Sequence, residues 1–215
     1  RGRQRHLEAR VERVLRPTGR EAEPFCPHFS VCGGCDFQDL AYAEQLDWKR
    51  RFVAEALGRV GGLAGVTVEE TLPSPERQGF RNKLEFAFAG QGDGLRLGLR
   101  PRGRGDEVFD AASCGLMAGD TGRILAAARA VAQASGLPAF DPRTNAGFWR
   151  HLVLRRNLAG ELWVIAVTSP HDDAAAVMRE LADALGGACA AGPDELAGVI
   201  HGVRSTRTQV AQWEE

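Results

Sequence analysis

The sequence predicts an α+β domain with a largely antiparallel sheet, flanking helices and a cysteine-rich loop. Segments of alternating polarity occur in pairs joined by short turns, as in β-hairpins, and longer segments with apolar residues at helical spacing lie between them. No strand–helix–strand run with a glycine-rich first turn is visible, so a Rossmann fold is not expected. At 215 residues, the chain can bury a hydrophobic core without disulfides.

The helices are predicted from apolar residues that recur every three or four positions. This spacing predicts helices over 40–60, 121–134 and 174–185. Glycine pairs at 61–62 and 186–187 are expected to end the first and the third, because glycine is favoured just past a helix C-terminus.

The strands are predicted from alternation of apolar and polar residues. Two hairpins are expected, one around the turn residues 90–94 and one around 157–160. Alternation places Phe86 and Phe88 in the core of the sheet. The predicted strands are 66–72, 83–89, 95–100, 152–156, 162–168 and 196–203.

Composition excludes a membrane-spanning protein. Hydrophobic residues make up 44% and charged residues 26% of the chain, and no apolar run approaches the roughly 20 residues that span a bilayer. Residues 1–20 lack the apolar segment of a secretory signal, so we expect a cytoplasmic protein without a membrane partner. The sequence does not give the oligomeric state, and a monomer is favoured.

Basic residues are clustered although the formal net charge is only -1. Residues 1–20 contain seven arginines and two acidic residues, and residues 77–104 contain seven basic and two acidic residues. Clustered arginines can form a face that binds phosphates, which predicts RNA as a partner. A general preference for arginine over lysine would explain the choice of residue but not the clustering.

Three of the five cysteines lie within ten residues, in CPHFSVCGGC over 26–35. Disulfides are not expected in the cytoplasm, and thiolates this close can ligate one metal centre. The pair Gly33-Gly34 is expected to let the loop fold tightly. Cys114, expected between a strand and a helix, is the candidate for a fourth ligand besides Cys26, Cys32 and Cys35.

Spacing alone leaves the metal open. Zinc and an iron–sulfur cluster both accept four thiolates, and His28 could replace one ligand of a zinc ion. Three clustered cysteines plus a remote one are typical of ferredoxin-type ligation. Cys189 lies in an alanine- and glycine-rich stretch and is expected to pack as a small hydrophobic residue.

The flanking residues resemble the RNA uracil-5-methyltransferase family, especially the 23S rRNA (uracil-5-)-methyltransferases. The resemblance is carried by CPHFSVCGGCDFQDLAYAEQLDWKR (26–50), GFRNKLEFAF (79–88), LRLGLRPRGRGDEVFD (95–110) and FWRHLVLRRNLAGELWVIAVT (148–168). In that family three clustered cysteines and a distant one hold a [4Fe–4S] cluster. The resemblance maps these ligands onto Cys26, Cys32, Cys35 and, in the matching context VFDAASCGLM, Cys114.

The resemblance implies methylation of uridine to 5-methyluridine in rRNA, with tRNA as the second candidate substrate and S-adenosylmethionine (SAM) as the methyl donor. In this family a cysteine thiolate attacks C6 of the uracil, C5 takes the methyl group, and a carboxylate removes the C5 proton. Nothing after Val203 resembles the SAM site or the loop with the nucleophilic cysteine. No catalytic residue is therefore expected in this chain, which alone should be inactive, with SAM bound outside it.

The family also implies a division of the chain. Residues 1–20 resemble the last strand of an N-terminal TRAM β-barrel, 21–40 form the iron–sulfur loop, 41–204 form a central RNA-binding domain, and 205–215 lead toward a Rossmann-like methyltransferase domain. The cluster is expected to be structural, because methyl transfer involves no net electron transfer. The alternative is a stand-alone metal-binding, RNA-binding module without catalytic activity.

Residues that could contact RNA fall in three places along the chain. Cations pair with phosphates and an asparagine can read a base edge, while Phe80, Phe148 or Trp149 could stack on an unpaired base. The candidates for RNA contact are Arg81, Asn82, Lys83, Arg102, Arg150 and His151.

Overall fold

The computed structural model of the protein describes residues 11–17 and 19–206, and they divide into two compact units. One unit is built from residues up to 24 and from 37–73, and the other from 25–36 and from 74 onward. The predicted barrel remnant and the predicted linker lie largely outside the described residues. Of the former, residues 11–15 have no regular secondary structure.

The described part of the smaller unit contains one helix, α1 (Tyr42–Glu55), which continues as a π-helical turn (Ala56–Val60) and confirms the predicted first helix. Its side chains are not buried, and aromatic contacts hold the unit together. The ring of Phe52 lies 6.1 Å from that of Phe37 and 5.8 Å from that of Trp48.

The strand predicted over 66–72 is wrong. The chain is irregular from 61 to 79, and Val66 and Leu72 are 51% and 90% exposed. The alternating apolar residues have no neighbouring strand to pair with, and alternation without a partner does not make a strand.

The larger unit is built on a six-stranded sheet with the order β3-β2-β1-β4-β5-β6. All neighbouring strands are antiparallel except β5 and β6, which are parallel. Both predicted hairpins are confirmed, and so is the largely antiparallel sheet. The strands are β1 (Lys83–Ala89), β2 (Arg96–Leu99), β3 (Phe109–Asp110), β4 (Trp149–Arg156), β5 (Glu161–Thr168) and β6 (Glu195–Val203).

Two helices pack on one face of this sheet. α2 (Thr121–Ala134) has the predicted bounds, and its first turn is capped by Asp120, whose carboxylate accepts from Arg123 N at 3.0 Å. α3 (Ala174–Ala190) connects β5 to β6. It continues past Gly186-Gly187 because residues on both sides of that pair are buried against the sheet, so the predicted end at 185 is wrong.

The core lies between these helices and the sheet. Phe86 and Phe88 are buried there, as predicted. Phe148 and Trp149 are also buried, at 2% and 0% exposure, so the prediction that either one stacks on an RNA base is wrong. Trp149 Nε1 donates to Ser135 Oγ at 3.1 Å, which satisfies its only polar group.

The described part of the chain contains no helix that is both long enough and apolar enough to cross a bilayer.

Candidate functional site

The cysteine loop is held by its backbone against the turn that follows β2. Cys32 pairs with Pro101 in an antiparallel bridge, Gly33 N donates to Arg100 O at 3.1 Å, and Arg102 N donates to Val31 O at 2.9 Å. These two hydrogen bonds form the bridge and hold the loop against the turn.

The glycine pair in this loop does not act as predicted. Neither Gly33 nor Gly34 has a positive φ, so the loop does not depend on the conformational freedom of glycine. Instead, Gly34 N donates to Cys32 Sγ at 3.4 Å, a contact of the kind that stabilises a thiolate.

Arg102 fastens the end of the loop. Its guanidinium forms an ion pair with Asp36 and donates to Cys35 O at 2.6 Å. The side chain is 50% exposed, so one edge faces solvent. The structure thus places this predicted RNA-contacting residue at the cysteine loop.

His28 joins the loop to the segment that leads to Cys114. Its Nε2 accepts a hydrogen bond from Ala112 N at 3.0 Å, and its ring lies 5.3 Å from the ring of Phe109. The imidazole therefore links two backbone segments, a role that spacing does not reveal because the partner lies 84 residues away.

Cys114 lies between β3 and α2, as predicted, and Thr121 fixes its backbone. Thr121 Oγ1 accepts from Cys114 N at 2.8 Å and donates to Cys114 O at 3.2 Å. Both residues are buried. One hydroxyl at the first residue of α2 therefore satisfies both polar backbone groups of Cys114.

Four thiols lie within electrostatic range of one another. Burial raises the pKa of Cys114; a hydrogen bond from the backbone of Leu116 opposes the rise, and the nearby thiols of Cys26, Cys35 and Cys32 add to it. Burial likewise raises the pKa of Cys32; the hydrogen bond from Gly34 opposes the rise, and Cys35 and Cys26 add to it. None of the cysteines is in a disulfide. Four thiolates gathered in this way repel one another unless a cationic centre compensates them.

The described residues contain no group of three or more His, Cys, Asp or Glu side chains arranged to hold a metal ion. A tetrahedral zinc ion needs sulfur ligands at about 2.3 Å from the metal, which brings the sulfurs close together. The cysteines are thus near one another without forming such a tight group.

Cys189 is separate from these four. It is buried on α3, and burial is the main cause that raises its pKa, followed by Asp194. It packs as a small hydrophobic residue, as predicted.

The predicted RNA-contacting residues do not form one group. Residues 81–82 are exposed, and Arg81 N donates to Leu116 O at 2.7 Å, beside the turn that follows the fourth cysteine. Lys83 forms an ion pair with Glu85 on β1. Arg81 thus lies near Cys114, whereas Arg150 and His151 lie further along the sheet on β4.

Arg150 is buried, at 4% exposure. Its guanidinium carbon lies 3.5 Å from the centre of the Phe140 ring, Nε donates to Ser169 Oγ at 3.0 Å, and Nη1 donates to Thr206 O at 2.8 Å. This arrangement favours a structural role for Arg150.

His151 lies opposite Ala87 of β1. The pKa of His151 is lowered from 6.5 to about 4, mainly by burial; Glu85 opposes the change, and the positive charges of Arg100, Arg150 and Arg204 add to it. The imidazole is therefore neutral at physiological pH and can both donate and accept a hydrogen bond.

A cavity of about 790 Å³ opens beside β1 and β4, and His151 and Arg150 help to line it. Its other walls come from Arg96, the segment 106–108 and the loop 138–147. The sequence did not indicate this loop as functional. The prolines and glycines of this loop predict a turn, but they do not predict which side of the sheet the loop covers.

A scan against protein-family models finds no match. Among curated proteins, an uncharacterized RNA methyltransferase of Nitratidesulfovibrio vulgaris is 46% identical over 211 residues, which cover 97% of this chain and 44% of that protein. An uncharacterized RNA methyltransferase of Chlorobaculum tepidum is 31% identical over 227 residues, covering 98% of this chain and 46% of that protein. The chain spans a little under half the length of these relatives.

Among solved structures, the tRNA (uracil-54, C5)-methyltransferase of Pyrococcus abyssi, in complex with S-adenosyl-L-homocysteine, has a similar fold. The TM-score is 0.67, with 20% sequence identity over 94% of this chain and 42% of that one. At 20% sequence identity, this similarity shows a shared fold and nothing more. Together, these similarities support an RNA methyltransferase family for the chain, which corresponds to a segment of such proteins.

Proposed function

We propose that the chain is the cluster-bearing, RNA-positioning part of a SAM-dependent methyltransferase that makes 5-methyluridine in RNA. The observation that carries the proposal is the convergence of Cys114 with Cys26, Cys32 and Cys35, in a chain similar to RNA methyltransferases. These four cysteines are the proposed ligands of a [4Fe–4S] cluster. Ribosomal RNA is the proposed substrate class, with tRNA as the second possibility.

The donor set fits the proposed cluster. Four thiols lie in one region, two of them buried, and a cationic centre that takes all four would offset the cost of bringing their thiolates together. Three clustered cysteines with a remote fourth are typical of ferredoxin-type ligation, and this pattern supports the cluster over zinc.

When bound, the cluster would crosslink the loop to the start of α2. The protein's own residues hold the two halves of that site in place: Thr121 fixes Cys114, His28 contacts Ala112, and Arg102 binds Cys35 O. A structural role follows from this arrangement. The neighbouring exposed residues 81–82 would then have a fixed position for RNA contact.

Catalysis is proposed to lie outside this chain. Cys189 is 4% exposed and burial raises its pKa, the opposite of what an attacking thiolate needs. The division into an N-terminal barrel remnant, a cysteine loop, a central domain and a linker to a methyltransferase domain is part of the same proposal. The similarities give no support to a stand-alone module.

The test uses the full-length product of the gene that encodes this chain. It is incubated with SAM and unmodified rRNA or tRNA transcripts, and the nucleosides are identified by mass spectrometry. We expect 5-methyluridine, and we expect Cys189→Ser to retain the activity. A different methylated nucleoside, or loss of activity in Cys189→Ser with the fold intact, would contradict the proposal.

A further inference from the structure

The cavity beside β1 has a floor of small side chains. Ala87 and Ala89 line it from the sheet, where larger residues would fill the space. On either side stand longer side chains, since Ala87 pairs with His151 on β4 and Ala89 pairs with Arg96 on β2. The result is a shallow trough of about 790 Å³, within the range of sites for small molecules and single nucleotides.

His151 offers hydrogen bonds in this trough. Within the described part of the chain, its ring nitrogens have no hydrogen-bond partner, and the residue is half-buried. A neutral imidazole carries one donor and one acceptor. Both groups are available to a ligand with a polar edge, and nucleobases have such edges.

Arg96 supplies the positive charge. Its side chain is exposed and makes no hydrogen bond or ion pair with any described residue. The other cations of the trough are engaged: Arg143 binds Asp141, and Arg100 donates to Gly105 O. Arg96 is therefore the cation with all its donors available for a phosphate.

Phe140 supplies an aromatic surface. Its ring lines the trough and is held in place by the guanidinium of Arg150, 3.5 Å from the ring centre. A ring held in this way can stack on a base without losing further rotamer freedom.

We propose that this trough binds one unpaired nucleotide of the RNA, with the base over Ala87 and Ala89, its polar edge at His151 and its phosphate at Arg96. The proposal rests on the proposed RNA-binding function and adds where one nucleotide is held. Base pairing would keep the base in its stack and out of the trough, so the site selects for single strands.

The test measures the affinity of the whole chain, purified anaerobically, for a labelled single-stranded RNA of about ten nucleotides and for the matching duplex, by fluorescence anisotropy. Ala87→Leu fills the trough and Arg96→Ala removes the free cation. Arg179→Ala, which removes the same charge from α3, is the matched control. We expect the first two variants to weaken single-strand binding roughly tenfold and the control to change it less than about twofold.

The outcomes separate the two proposals. If wild-type protein binds no RNA, the proposed function fails. If it binds RNA, and Ala87→Leu and Arg96→Ala bind equally well, the trough proposal fails alone. Should Ala87→Leu not fold, Arg96→Ala, a substitution at an exposed position, still tests the trough proposal.

A second readout is photocrosslinking of RNA carrying 4-thiouridine. Crosslinks in the loop 138–147 or at His151 support the trough, and crosslinks confined to other segments overturn it.

Discussion

The cysteine site and the trough beside β1 are built in different ways, although both lie in the larger unit. At the cysteine site, backbone groups make many of the contacts, and the side chains of Cys32 and Cys114 are buried. In the trough, side chains from three strands and a loop surround a space, and those of His151 and Arg96 lack partners within the described residues.

This difference indicates different tasks. A site with satisfied backbone and buried thiols is suited to holding a fixed centre, because little is left free to move or to bind anything else. A site with an unpartnered imidazole and an unpaired guanidinium is suited to a ligand that comes and goes.

The largest expected effect concerns the ligand set. Cys114→Ser should lose nearly all bound iron, because the remote ligand closes the site, whereas Cys189→Ser should retain it. Both are measured as iron per chain after anaerobic purification. Equal iron loss in the two variants would contradict the assignment of Cys114 as a ligand.

The next effect concerns the backbone that holds Cys114. Thr121→Val removes the hydroxyl that hydrogen-bonds to both the N–H and the C=O of Cys114. Because these buried backbone groups then lack a partner, the free energy of unfolding should fall by about 1–3 kcal/mol. Thr144→Val is the control, since its hydroxyl makes one long bond to Asp141 O at 3.4 Å. Urea unfolding measures both, and similar values for the two would contradict this account of the site.

A smaller effect concerns the pH dependence of stability. The pKa of His151 is about 4 in the folded protein and 6.5 as its ordinary value, so between these values the unfolded chain binds a proton that the folded chain excludes. The contribution of His151 to the free energy of unfolding is complete above pH 6.5 and declines as the pH falls toward 4. His151→Gln should therefore lose less stability between pH 7 and pH 5 than wild type, as measured by thermal unfolding. Identical losses would mean that the imidazole is not buried as described.

The smallest expected effect concerns the contacts by which Arg102 holds the end of the cysteine loop. Arg102→Ala removes the ion pair with Asp36 and the bond to Cys35 O. Because this arginine is half exposed, we expect only a modest increase in the rate of iron loss in air. Arg104→Ala, which removes an exposed pair with Glu107, is the control and should leave the rate unchanged. A larger effect from Arg104 would contradict the role given to Arg102.

Sequence patterns predicted the elements that satisfy local rules. α2 and both hairpins follow from periodicity and turn residues, which act over a few positions. The strand predicted over 66–72 failed because a strand needs a partner that alternation does not supply. The end predicted for α3 failed because residues beyond the glycine pair are buried, and tertiary packing outweighed glycine's low helix propensity.

The same division applies to the sites. Cysteine spacing predicted three candidate ligands, and the expected position of Cys114 between a strand and a helix, together with the family resemblance, predicted the fourth. The contacts that hold them were not predictable, since His28 meets Ala112 across 84 residues. The trough depends on small residues at Ala87 and Ala89 lying between two other strands, and only the register of the sheet reveals it.

The most direct test of the proposed centre is the content of iron, acid-labile sulfide and zinc in the anaerobically purified chain. Our account predicts iron and sulfide in equal amounts, close to four of each per chain, with visible absorbance that bleaches on reduction. A colourless protein with one zinc ion per chain and no sulfide would contradict it.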